Sequence, residues 1–129
     1  MHAAIYRARR DVQAVVHTHA PTATAFGIAG KEIWPLQIEM FMLLPKGVPI
    51  VPFKQPGSKA LAEAVQKKIA GYDAVILENH GIITVGSTVE ATCSLNEMVE
   101  EAAKIQLTVM MLSGGNVNSL AELKKKFKA

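Results

Sequence analysis

The chain has 129 residues, of which 50% are hydrophobic and 19% charged, with a formal net charge of +3. This length and apolar content describe one domain, residues 1–129, with a sizeable core, and exclude a disordered polyelectrolyte. Cys93 is the single cysteine, which excludes an internal disulfide framework and fits a reducing cytosol, so a cytoplasmic location is expected.

Residues 1–9 predict a helix, with Ala3, Ala4 and Ala8 as helix formers and no capping residue ahead of it. His2 reads as a locally packed residue on that helix. Asp11 breaks the chain to a strand from Val12 to Thr18. Ala20-Pro21 opens a second helix, with proline at an early position, that stops at residues 27–30. Residues 31–35 read as a short strand or loop. Residues 36–44 are apolar except for Gln37 and Glu39. Val48 to Phe53 carries Pro49 and Pro52, which suits an edge strand or an extended segment.

Ser58 is placed to cap a helix running through Ala70, with Leu61, Val65 and Ile69 on one face and lysines opposite. Asp73 to Glu78 is a buried strand by its continuous apolar run, and Gly81 to Val85 is another, joined through the tight corner Asn79-His80-Gly81. Ser87 and Glu90 have capping-box spacing and open the longest helix, to about Leu112. Glu100 and Lys104 form an i, i+4 pair on it. Cys93 reads as a small core residue, and Met98, Met110 and Met111 as core or subunit contacts. Ser119 to Phe127 is a short amphipathic helix. Its lysines, Lys124, Lys125, Lys126 and Lys128, form a solvated helix end rather than a nucleic-acid footprint. No apolar run reaches membrane-span length, so neither nucleic acid nor membrane is expected as a partner. Strands alternating with helices predict a three-layer α/β fold.

The chemistry concentrates in Val15-Val16-His17-Thr18-His19. Residues two apart on a strand face the same way, so both imidazoles can address one point. His80 ends a second apolar run, and three histidines with an open fourth position form a catalytic zinc arrangement. The sequence contains no cysteine pairs, no H-E-x-x-H, no phosphate-binding glycine loop and no nucleophile elbow. Glu39, a lone carboxylate in apolar surroundings, either faces solvent or caps a turn, or serves as a general acid/base in an apolar cleft.

Three separated motifs in order then carry a family resemblance. They are residues 14–21 (Ala-Val-Val-His-Thr-His-Ala-Pro), residues 78–82 (Glu-Asn-His-Gly-Ile), and the helix from Val89 through Glu100-Glu101-Ala102-Ala103. The linking Val51-Pro52-Phe53 and Pro56-Gly57-Ser58 are also similar. The chain resembles the class II aldolase/adducin family, in its L-fuculose-1-phosphate aldolase branch. The resemblance implies a three-layer α/β/α sandwich of that type, with Zn2+ or another divalent metal held by His17, His19 and His80. It implies aldol cleavage of a small phosphorylated sugar to dihydroxyacetone phosphate and a small aldehyde, with the metal stabilising the charge that develops as the carbon–carbon bond breaks. It also implies a homo-oligomer, a tetramer in the family. Family members carry a preceding segment with phosphate-binding loops and a proton-shuttling glutamate that has no counterpart here, so the chain is expected to be the C-terminal two-thirds of the fold. Two further branches imply other outcomes. One is a methylthioribulose-phosphate dehydratase-like lyase with Glu39 as acid/base, and the other is a non-catalytic, adducin-like assembly module.

Overall fold

A computed structural model describes residues 1–128. The elements are α1 (His2–Ala8), β1 (Ala14–Thr18), α2 (Pro21–Ile28), α3 (Ile38–Leu43), β2 (Ile50–Val51), α4 (Lys59–Ile69), β3 (Ala74–Leu77), β4 (Gly81–Gly86), α5 (Val89–Leu112) and α6 (Leu120–Lys128). The four strands form one sheet in the order β1-β4-β3-β2. β4 runs antiparallel to both of its neighbours, and β2 pairs parallel with β3 at the edge.

Apolar side chains leave the sheet on both faces, which is why β3 and β4 read as unbroken apolar runs. Ala74, Ile76 and Ile82 pack with Ala23 and Phe26 of α2, Met40 of α3, and Val99, Ala102 and Ala103 of α5. Val75, Leu77, Ile83 and Val85 pack on the other side with Ile5 of α1 and with Leu61, Val65 and Ile69 of α4. The three-layer expectation therefore holds. Consecutive residues serve opposite cores, as the strand period of two requires.

Several local expectations are corrected. Residues 31–35 make only one bridge, Ile33 with Val48. Residues 38–43 are helical. The cap of α5 is Thr88, not Ser87: its hydroxyl accepts from the Ala91 N–H at 3.1 Å. Cys93 is exposed. The buried positions of α5 are Thr92, Asn96, Val99, Ala102, Ala103 and Gln106, a helical stripe that leaves residue 93 on the outside. Met111 is exposed too, whereas Met98 and Met110 pack against the core. Ser58 caps α4 as expected, accepting from Leu61 at 3.1 Å.

Arg9 fastens α1 to the far end of α4. Its guanidinium donates to the carbonyls of Ile69 and Tyr72 and to the carboxylates of Asp11 and Asp73, at 2.6–3.2 Å. The neighbouring guanidinium holds the Asp11 carboxyl down at about 2. Only a planar fork reaches four acceptors at once. Arg9→Ala should therefore cost about 2 kcal/mol, since hydrogen bonds to charged groups are worth about 1.5–3 kcal/mol. Urea unfolding midpoints check this, and Arg9→Lys should recover only a minor part of the loss.

Candidate metal centre

His17 lies on β1, His19 lies just past its end, and His80 lies in the corner between β3 and β4. The antiparallel register sets Thr18 opposite Ile82 and His17 opposite Ile83. The C-terminal end of β1 therefore meets the corner that begins β4. One ligand nitrogen from each histidine lies within 4.8 Å of the others. The three ring centroids are 4.9–5.1 Å apart. Tetrahedral zinc with bonds of about 2.0–2.1 Å needs nitrogens roughly 3.4 Å apart, a gap that small side-chain rotations close.

The donors themselves fit a metal. His17 Nδ1 is 2.9 Å from the Ile82 carbonyl oxygen. A carbonyl can only accept, so Nδ1 carries the proton and Nε2 keeps the free lone pair. A ligating imidazole is commonly held by its other nitrogen in this way. Burial, the largest influence, pushes the His17 imidazole below its ordinary range. The Ile82 carbonyl acts in the opposite sense, and His80 and His19 lower it further. His17 is thus kept in the neutral form that a metal requires. His19 is exposed while His17 and His80 are half-buried, which leaves a side open for an incoming ligand.

Backbone geometry makes the corner possible. Asn79 has φ of 59°, the left-handed region that asparagine tolerates better than most residues. Gly81 has no room for a side chain: a Cβ there would stand 2.3 Å from the Thr18 carbonyl oxygen and 3.0 Å from the His19 ring. The Glu78 carboxylate accepts from the Phe53 N–H at 2.6 Å and ties the corner to the segment after β2.

Two residues that sequence reasoning passed over support the His17-Thr18-His19 stretch from α5. Thr18 donates to Asn96 Oδ1 at 2.6 Å, and Asn96 in turn donates to Thr84 of β4 at 3.1 Å. The Glu100 carboxylate accepts from the Thr22 and Ala23 N–H groups at 3.0 and 2.9 Å. Glu100 is therefore not the partner of Lys104; the ion pair on that surface is Glu101 with Lys104 at 2.6 Å. A signal for Glu100 was available. The cap position of α2 is Ala20, which has no side-chain acceptor, so the free N–H groups needed one from elsewhere. Glu39 is exposed in the first turn of α3 rather than enclosed in an apolar cleft, and it does not belong to the histidine cluster.

Among known proteins, the family model for the class II aldolase and adducin N-terminal domain matches residues 1–107. The L-fuculose phosphate aldolase of Methanococcus vannielii is 38% identical over 112 residues, which are 85% of this chain and 59% of that protein. The rhamnulose-1-phosphate aldolase of Listeria monocytogenes is 31% identical over 102 residues, 79% of this chain and 36% of the relative. The crystal structure of a sugar-phosphate aldolase from Thermotoga maritima superposes with a TM-score of 0.77 at 28% identity, covering 92% of this chain and 54% of that one. The chain thus spans well under two-thirds of the length of these proteins. With the match extending over most of its length, the chain belongs to the class II aldolase and adducin family.

Proposed function

We propose that this chain carries the metal centre of a zinc-dependent aldolase that cleaves a phosphorylated ketose to dihydroxyacetone phosphate and a small aldehyde. The observation that carries the reading is the convergence of His17, His19 and His80 on one point, with the proton of His17 fixed on Nδ1. The relatives, named for L-fuculose phosphate and rhamnulose-1-phosphate, support the substrate class. When bound, a divalent ion would polarise the substrate's carbonyl and hydroxyl oxygens and offset the negative charge that builds as the bond breaks.

The chain's own residues prepare for that. The Ile82 carbonyl orients the His17 ring, Gly81 lets β1 approach the corner closely enough for His80 to join, and the exposed side near His19 admits substrate. The test is metal analysis together with a coupled assay for dihydroxyacetone phosphate released from L-fuculose 1-phosphate. Activity should vanish on chelation and return with Zn2+. Full zinc occupancy without any release would sink the aldolase reading and point to a metal-binding module without turnover.

A further inference from the structure

The long helix α5 reaches the histidine cluster twice without contributing a ligand. Asn96 and Glu100 are four residues apart, so they project from one side of the helix. Asn96 holds Thr18, the residue between His17 and His19. Glu100 holds Thr22 and Ala23, the second and third residues of α2, which begins two residues after His19. The stretch that presents two of the three histidines is therefore gripped on both flanks by the same helix. Asn96 is itself buried, at 5% exposure, and its position is fixed by its bond to Thr84, whose hydroxyl donates to the Thr92 carbonyl.

The chemistry of both contacts is specific. Two adjacent N–H groups pointing at one side chain need two acceptor oxygens, which a carboxylate supplies and a carboxamide does not. Negative charge is also favoured at a helix N-terminus. At the other flank, the Thr18 hydroxyl donates to an amide oxygen whose nitrogen is already committed to Thr84. The amide therefore has one orientation, and Thr18 has one place to go.

We propose that Asn96 and Glu100 are positioning residues for the metal centre: by fixing Thr18 and the start of α2, they set where His17 and His19 point and so set the affinity for a divalent ion. The proposal rests on the three histidines binding metal, and the experiment separates the two claims. The full chain is titrated with Co2+, whose visible spectrum reports ligand geometry, and Zn2+ affinity is measured by competition. Glu100→Gln keeps the size of the side chain and replaces one acceptor with a donor. Thr18→Val cuts the other flank while keeping a β-branched strand residue.

Each variant should weaken Zn2+ binding about 10- to 100-fold, as losses of outer-shell support do, and should alter the Co2+ spectrum. Thr18→Ser, which keeps the hydroxyl, and Glu101→Gln, on the exposed face, should behave as the unaltered protein. Both test variants binding within twofold of the unaltered protein, with its Co2+ spectrum, would overturn the positioning role. If Glu100→Gln fails to fold, Thr18→Val decides alone. An unaltered protein that binds neither ion removes the metal reading itself, and this inference with it.

Discussion

His80→Ala should abolish the stabilisation that Zn2+ gives the protein while leaving the metal-free protein nearly as stable as before. His80 lies in the corner between β3 and β4, outside both core clusters. A substitution there, away from packed core, costs little, within about 0.5–1 kcal/mol. Removing a direct ligand should cost more in affinity than the 10- to 100-fold typical of outer-shell changes. A ligand present at about 100 times its Kd stabilises the folded state by about 2.7 kcal/mol, and at about one Kd by only about 0.4 kcal/mol. For a domain of this size the larger figure is roughly a 10 °C rise in melting temperature. Thermal unfolding with and without Zn2+ should show that rise in the unaltered protein and almost none in His80→Ala. A similar rise in the variant would mean that the ion sits elsewhere. His17→Ala is a less clean test, because it also leaves the Ile82 carbonyl without its donor.

The histidines were legible in the sequence because their chemistry is local. A His-x-His pair at the end of an apolar run points two rings one way, and a histidine before a glycine marks a second strand end. Their convergence was less legible, since it depends on β1 pairing with β4 across more than sixty intervening residues rather than with the strand next in sequence. Nothing in either strand's own pattern names its neighbour. The helices and both cores were readable for the same local reason, as Leu61, Val65 and Ile69 show by keeping their helical spacing in the structure.

What sequence reading missed is consistently tertiary. Glu100 has a lysine four residues on and a glutamate beside it, so local rules assign it a surface pair. The structure spends its carboxylate on α2, because uncapped N–H groups at a half-buried helix start offer a stronger partner than a solvated ammonium. Cys93 and Met111 look like core residues by type, and only the tilt of α5 on the sheet turns them to solvent. Thr88 displaces Ser87 as cap because α5 begins one residue later than the capping-box spacing suggested.

Gly81→Ala should be the most damaging single methyl that can be added near the site. The new Cβ would lie 2.3 Å from the Thr18 carbonyl oxygen and 3.2 Å from its carbonyl carbon, both backbone atoms. A flexible side chain can swing away from such a clash, but a strand backbone can yield only by moving as a unit. The two ends of the β1–β4 pairing would be forced apart at Thr18 and Ile82, the pair closest to all three histidines. Overpacking in a rigid interior costs about 1–3 kcal/mol, and a clash of backbone against Cβ belongs at or above the upper figure. The expected result is a loss of about 3 kcal/mol in urea unfolding, together with loss of the Zn2+-dependent rise in melting temperature, because spreading the strands carries His17 and His19 away from His80. Gly71→Ala is the control: its Cβ would meet nothing within 4 Å and its φ is ordinary, so it should be neutral or gain about 0.4–1 kcal/mol from the stiffer unfolded chain. Equal stabilities for the two alanine variants would show that the close approach at Gly81 does not exist in solution, and the geometry that gathers the three imidazoles would go with it.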